Sequence, residues 1–93
     1  PFHPVTGEVV GNGMKEQAVQ TLANMKAVLE AAGLAVTDIA KTTVFVTNMD
    51  DFAAFNEVYA AFMGEHRPAR VCVEVSNIAH GCLLEMDAIC FKE

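Results

Sequence analysis

The chain has 93 residues, 53% of them hydrophobic, and its twelve Asp and Glu outnumber its six Lys and Arg to give a formal net charge of -6. This size and composition predict a single domain with an apolar core. The acidic balance argues against a nucleic-acid surface and provides no basic amphipathic helix for a membrane. No apolar run approaches the ~20 residues that span a bilayer and no signal peptide is visible, so a cytoplasmic protein is expected.

Cysteine and histidine usage gives no sign of a metal site or a disulfide framework. Cys72, Cys82 and Cys90 are odd in number and lack CxxC spacing, and the three histidines include no pair at i, i+4. We therefore predict buried, reduced thiols and no metal.

The first third of the chain predicts a loop followed by a long helix. Proline and glycine mark the start as extended loop and turn, with a candidate short strand at 8–10. Gly11-Asn12-Gly13 lacks the full GxGxxG pattern, so Asn12 is a candidate helix N-cap rather than part of a phosphate cradle. Gly33 and Leu34 provide a Schellman-type end to a helix over 14–32. The apolar stripe of this helix, at spacings of four and three, consists of Ala18, Leu22, Met25, Leu29 and Ala32.

The middle of the chain predicts a buried strand and a second helix. Residues 39–47 are rich in β-branched side chains and apolar on both faces, as expected of a strand inside a sheet. Asp50 and Asp51 suit the positive end of a helix over 51–63. Asn56 lies beside the apolar stripe of that helix, where it either caps an edge of the sheet or reaches a ligand. The stripe itself is aromatic, predicts core, and consists of Phe52, Phe55, Tyr59 and Phe62.

Residues 69–91 predict a terminal β-hairpin with a short loop at 76–79. Directly opposed residues share a face of a sheet. The predicted pairs are Val75 with His80, Cys72 with Leu83, and Arg70 with Glu85. One predicted face is apolar and contains Val71, Val73, Val75, Leu84, Met86 and Ala88. The other is polar and contains Arg70, Cys72, Glu74, Glu85 and Asp87, so a cation would meet a carboxylate there.

Together these elements predict an α+β fold, a two-layer sandwich with two helices on one face of a mixed β-sheet. No helix remains to cover the second face, which is predicted to carry Arg70 and Glu85. Water or another subunit must cover it, and a closed oligomer that buries it would form sites between chains.

Six blocks of sequence, in order along nearly the whole chain, resemble the RidA/YjgF family of reactive intermediate deaminases, which is also named endoribonuclease L-PSP. The blocks are P-x-T-G-E at 4–8, N-M-K-A-V-L-E-A-A-G at 24–33, K-T-T-V-F-V at 41–46, D-F-x-x-F-N-x-x-Y at 51–59, P-A-R-x-C-V-x-V at 68–75 and L-E-M-D-A-I at 84–89. Each block is weakly specific alone, but six in order are strongly specific. The chain departs from the family in two respects: the family's N-terminal hairpin is expected to be absent from this single domain, residues 1–93, and Asn77 replaces a common arginine.

The resemblance implies a homotrimer of chorismate-mutase-like α+β subunits with clefts between neighbouring chains. It implies hydrolysis of 2-iminobutanoate or 2-iminopropanoate to 2-oxo acids and ammonia, with no cofactor. On this resemblance Arg70 binds the substrate carboxylate and Glu85 orients or activates the attacking water. Cys72 and Asn56 belong to the implied ligand shell. The expected partners are small imino or 2-oxo acids, not a membrane or nucleic acid.

Three other interpretations remain open at this point. In the first, Arg70 and Glu85 form only a cross-strand ion pair, worth about 0.2–1 kcal/mol when exposed. In the second, the cleft of the trimer binds 2-oxo acids without turnover. In the third, the protein is a translation inhibitor or endoribonuclease, as the family's other names suggest, although an acidic chain without a basic stripe is poorly suited to RNA.

Overall fold

The fold is known from a computed structural model that describes residues 1–92. Two helices, α1 (Met14–Ala31) and α2 (Phe52–Met63), pack on one face of a three-stranded sheet. The strands are β1 (Ile39–Val46), β2 (Ala69–Glu74) and β3 (Leu84–Cys90). Their order is β2-β1-β3, with β1 parallel to β2 and antiparallel to β3. The predicted α+β two-layer sandwich with a mixed sheet is therefore confirmed.

Both ends of α1 test the sequence prediction. At the C-terminal end, the Leu34 N–H donates to the Leu29 carbonyl at 2.8 Å and the Gly33 N–H to the Glu30 carbonyl at 3.0 Å, which confirms a Schellman motif. Gly33 adopts φ 76°, the left-handed conformation that this motif requires. The N-cap is Gly13 and not Asn12, so the predicted cap was wrong by one residue.

The segment before α1 forms less strand than predicted. Residues 8–10 contribute one isolated bridge, between Phe2 and Val9, and the predicted strand is wrong to that extent. No helix within residues 1–92 has the length and apolar character needed to cross a membrane.

The predicted terminal hairpin is wrong, because β1 lies between β2 and β3. After α2 the chain enters β2 parallel to β1, and the connection that follows then crosses the end of β1 to reach the opposite edge. The end of β1 holds this connection at both sides: the Val75 N–H donates to the Val46 carbonyl at 2.8 Å, and the Thr47 N–H donates to the Leu83 carbonyl at 3.1 Å. The strand predicted to lie inside the sheet thus pairs with both of its neighbours, and its outer face, which carries Lys41 and Thr43, is uncovered.

The predicted assignment of the β2 and β3 side chains to the two faces of the sheet was also wrong. In the observed register Arg70 pairs with Thr42, which in turn pairs with Ala88, so these three side chains point toward the helices. Cys72, Leu84 and Met86 share that face, whereas the valines of β2 lie on the uncovered outer face with Glu85 and Asp87. Val71 and Val73 are 44% and 38% exposed. Alternation separates two faces of a strand correctly, but it does not state which face the helices cover.

Candidate functional site

Arg70 is held by three side chains of α2. Its Nη1 donates a hydrogen bond of 2.7 Å to Asn56 Oδ1. Its Cζ lies 5.1 Å from the centroid of the Phe52 ring and 4.7 Å from that of the Tyr59 ring. Both distances fall within the range of cation–π attraction, which is electrostatic and leaves the positive charge in place. The guanidinium is therefore fixed in position without being neutralised.

The spacing of α2 explains this arrangement. Phe52, Asn56 and Tyr59 are separated by four and three residues, so they project from one face of the helix toward the edge of β2. Tyr59 is fixed in turn by a 2.9 Å hydrogen bond between its hydroxyl and that of Thr42, and both residues are buried. Because Thr42 pairs with Arg70 across the sheet, β1 helps to position the ring against the guanidinium.

The sequence left two roles open for Asn56, a cap at an edge of the sheet or a contact with a ligand, and the structure shows a different one, a hydrogen bond with Arg70. Its amide oxygen orients Arg70 instead of capping a strand. Phe52 and Tyr59 were predicted only as core residues, and their contact with Arg70 was missed. The available signal was the i, i+4, i+7 spacing of an aromatic, an amide and an aromatic residue on one helical face.

A cavity of about 490 Å³ opens beside the guanidinium of Arg70, at the C-terminal end of α2. This volume lies within the range of small-molecule sites. The imidazole of His66 closes one side, and its Nε2 lies 2.7 Å from the Ile39 carbonyl oxygen at the start of β1. The cavity is lined by Asn56, Tyr59, Ala60, Met63, His66, Arg67, Pro68 and Arg70.

No carboxylate within residues 1–92 forms an ion pair with Arg70. The lining residues of its cavity include no Asp or Glu in that part of the chain. Arg70 is half-buried, so its charge is only partly screened by solvent. An unpaired guanidinium beside a small cavity is suited to bind a carboxylate through two parallel N–H···O bonds.

A second cavity, of about 510 Å³, lies between α1 and β3. Its lining is mainly apolar and includes Met25, Val28, Met86 and Ala88. No charged side chain of residues 1–92 contributes to it. Of these two cavities, the one beside Arg70 has the cationic side chains that binding of an acid requires.

Cys72 lies two residues beyond Arg70 on the same face of β2. Burial raises the pKa of its thiol above the ordinary value, and the nearby Arg70 guanidinium opposes this rise in part. The thiol is thus the stable form at neutral pH, whereas a nucleophilic cysteine must be a thiolate. Cys72 is not among the residues that line the cavity beside Arg70, and its thiol is not suited to attack a substrate.

Glu85 does not lie opposite Arg70, as the hairpin prediction required. It is exposed on the outer face of β3 and pairs with Phe45 of β1. Arg70 lies two strands away, three register positions along β1 and on the other face, so the two Cα atoms are at least about 10 Å apart. The cross-strand ion pair is therefore also excluded. Within one chain, the two residues do not form a common site.

With this geometry established, comparisons with known proteins identify the class. Residues 1–92 match the model of the family described as Endoribonuclease L-PSP, and the chain belongs to this family. The Escherichia coli K12 protein named 2-iminobutanoate/2-iminopropanoate deaminase is 48% identical over 95 aligned positions, which cover 99% of this chain and 73% of that protein. The resemblance to the RidA/YjgF family inferred from six sequence blocks is thus confirmed.

Two further relatives support the same assignment. A protein of Pyrococcus horikoshii named as a RutC family protein is 50% identical over 93 residues, which cover 100% of this chain and 74% of that protein. The crystal structure of Escherichia coli TdcF with bound serine is 44% identical, with a TM-score of 0.93, and the match covers 100% of this chain and 75% of that chain. Sequence and fold therefore agree on the family.

Proposed function

We propose that this protein hydrolyses small 2-imino acids, such as 2-iminobutanoate and 2-iminopropanoate, to 2-oxo acids and ammonia. The observation that carries the proposal is the unpaired guanidinium of Arg70, oriented by Asn56 and two aromatic rings beside a small-molecule cavity. A relative that is 48% identical to this chain is named for that reaction. The family membership and the site thus support the same class of substrate.

Substrate binding is assigned to Arg70. Asn56 occupies Nη1, and within residues 1–92 no hydrogen bond uses Nη2 or Nε. These two nitrogens form one edge of the guanidinium, and that edge matches the two oxygens of a carboxylate. A carboxylate bound there places the adjacent imine carbon at a fixed distance from Arg70. Cys72, on the same face of β2, is assigned to the proposed ligand shell by the family resemblance alone, because it does not line the cavity beside Arg70.

The chemical step requires a water molecule and a base. Water adds to the electrophilic carbon of the C=N bond, one of its protons passes to the base, and the nitrogen takes up a proton from solvent, so that a tetrahedral amino alcohol forms. The base then returns its proton to the amino nitrogen, the C–N bond breaks to release ammonia, and the hydroxyl group loses its proton to solvent as the C=O bond of the 2-oxo acid forms. Glu85 is the proposed base, and a positioned general base contributes roughly 10²- to 10⁴-fold to the rate.

Glu85 must come from a neighbouring copy of the chain, because a chain's own Glu85 lies on the opposite face of the sheet. That outer face exposes Val71, Val73 and Ile89, the last to 61%. Exposed apolar side chains grouped on one sheet face are typical of a surface that another subunit covers. A closed homotrimer that buries these faces would form sites between chains, each with Arg70 from one chain and Glu85 from the next.

The test is to trap 2-iminobutanoate with semicarbazide while a threonine dehydratase produces it. The protein should reduce the amount of trapped imine by hydrolysing it first. Arg70→Ala should lower kcat/KM about a hundredfold, since the substrate carboxylate loses two charge-assisted hydrogen bonds. Lys26→Ala removes an exposed positive charge on α1 and is the matched control, with activity near that of the wild type. Wild-type activity in Arg70→Ala would contradict the proposal.

A second function, binding of 2-oxo acids without turnover, is favoured by one observation. The cavity beside Arg70 contains binding groups, but no carboxylate of residues 1–92 lines it. A protein of this kind would bind 2-oxobutanoate in calorimetry through Arg70 and leave the trapping assay unchanged. Binding together with imine hydrolysis would exclude it.

A further inference from the structure

The cavity beside Arg70 contains a second cation that the proposed reaction does not use. The chain has two arginines, Arg67 and Arg70, and both line this cavity. No Asp or Glu of residues 1–92 lines it, although the chain as a whole carries a net charge of -6. The concentration of positive charge in one concave site of an acidic protein creates a local potential that attracts anions.

Backbone carbonyls hold Arg67 in place. Its Nη1 donates to the Gly64 carbonyl and, at 3.1 Å, to the His66 carbonyl. The same loop is tied to β1 by the hydrogen bond between His66 and the Ile39 carbonyl, and to α2 by the His66 N–H, which donates to the Met63 carbonyl at 3.1 Å. A long exposed side chain ordinarily loses conformational entropy when it binds a ligand, and these contacts reduce that loss.

Arg67 retains donors for a ligand. A guanidinium has five N–H groups, and the two bonds to the loop carbonyls both use Nη1. Within residues 1–92, no hydrogen bond uses Nη2 or Nε of Arg67. The same nitrogens of Arg70 are available, so the cavity contains two separate guanidinium edges that can each bind an anionic group.

The spacing and the volume fit an acid with two anionic groups. Arg67 and Arg70 are three residues apart, which limits the distance between their Cα atoms to about 10 Å. The cavity of about 490 Å³ lies within the range of small-molecule sites. A molecule of 2-oxobutanoate has only seven non-hydrogen atoms and leaves part of this volume empty. A five-carbon 2-oxo dicarboxylate fills more of it and places its second carboxylate four bonds from the first.

We propose that Arg67 forms a second anion subsite that selects 2-imino and 2-oxo acids with a second acidic group over monocarboxylates of similar size. The first carboxylate binds Arg70 and the distal one binds Arg67. The inference rests on the proposed function only in taking Arg70 as the anchor of the first carboxylate.

The test is calorimetric titration of the full chain at low salt with 2-oxoglutarate and, separately, with 2-oxobutanoate. The wild type should bind 2-oxoglutarate about fivefold to tenfold more tightly, the contribution of one partly exposed charge-assisted contact. Arg67→Ala should remove this preference and leave the affinity for 2-oxobutanoate within about twofold. Arg67→Lys should restore part of the preference, because the charge returns without the two-pronged geometry. Lys26→Ala, which removes one positive charge from α1, should keep the full preference for 2-oxoglutarate.

The inference is overturned if the wild type binds the two acids equally. It is also overturned if the preference for 2-oxoglutarate survives in Arg67→Ala, or if Lys26→Ala loses that preference to the same extent as Arg67→Ala. Failure of 2-oxoglutarate to bind the wild type would also overturn it. A preference that depends on Arg67 together with no imine hydrolysis would leave the subsite standing and reject the proposed reaction. The two proposals therefore fail on different measurements.

Discussion

At the scale of the residue, the site depends on how a positive charge is held without being neutralised. A carboxylate partner would fix Arg70 more strongly than Asn56 does, but it would compete with the proposed substrate for the same donors. An amide oxygen and two ring faces orient the guanidinium and leave one edge of it free. A lysine would satisfy neither the flat contact with the rings nor the two-pronged contact with a carboxylate.

The environment of Cys72 leads to a prediction about its reactivity. Since burial raises the pKa of this thiol, the thiolate fraction at neutral pH is smaller than that of free cysteine. Alkylation of Cys72 by iodoacetamide, followed peptide by peptide with mass spectrometry, should be slow at neutral pH. The rate should rise only above the pH at which free cysteine reacts. Cys72→Ala should retain most of the imine-hydrolysing activity. Alkylation faster than that of free cysteine at neutral pH would reverse this assignment and make the thiol a nucleophile.

At the scale of the element, α2 forms part of the core and part of the site with residues of one stripe. Phe55 is fully buried, whereas Phe52 and Tyr59 present their rings to Arg70 at the edge of the sheet. Tyr59 joins the two roles, because its ring contacts Arg70 while its hydroxyl bonds to Thr42. The stability of the helix–sheet interface and the position of the anchor thus depend on the same side chain.

A double-mutant cycle tests the hydrogen bond between the Tyr59 and Thr42 hydroxyls. Tyr59→Phe leaves the Thr42 hydroxyl buried without its partner and should lower the free energy of unfolding by about 1–2 kcal/mol, as measured by urea denaturation. Adding Thr42→Val removes the second polar group, so the double variant should recover part of that loss. The affinity for 2-oxobutanoate should change little in Tyr59→Phe, because the ring remains against Arg70. If the losses of unfolding free energy in Tyr59→Phe and in Thr42→Val add up to the loss in the double variant, the hydrogen bond between the two hydroxyls contributes nothing to stability.

The elements also show which parts of the structure were predictable from the sequence. Both helices and the central strand follow from local periodicity and from local signals such as Gly33, so their positions were correct within one or two residues. The partner of a strand is not a local property. Alternation in β2 and β3 fits a hairpin as well as it fits two edges of a sheet, and only the position of β1 distinguishes the two. The placement of Arg70 on β2 and of Asn56 on α2 followed from the sequence, and their assignment to a substrate site stays a prediction. The pairing of Arg70 with Glu85 failed for this non-local reason.

At the scale of the whole molecule, one chain separates the proposed anchor from the proposed base. Arg70 faces the helices at one edge of the sheet, and Glu85 lies on the outer face of the opposite edge strand. The exposed valines of β2 and Ile89 of β3 form the surface that an assembly would bury. The proposed reaction therefore requires residues from two chains.

Subunit complementation tests this requirement most directly. Arg70→Ala and Glu85→Gln alone should each keep no more than about a hundredth of the wild-type activity in the imine-trapping assay. When equal amounts are unfolded together and refolded into mixed rings, about a quarter of the interfaces should pair an intact Arg70 with an intact Glu85, whatever the size of the ring. The mixed rings should therefore recover about a quarter of the wild-type activity, with separately refolded variants as the control. A mixture no more active than its parents, or an active Glu85→Gln variant, would contradict it.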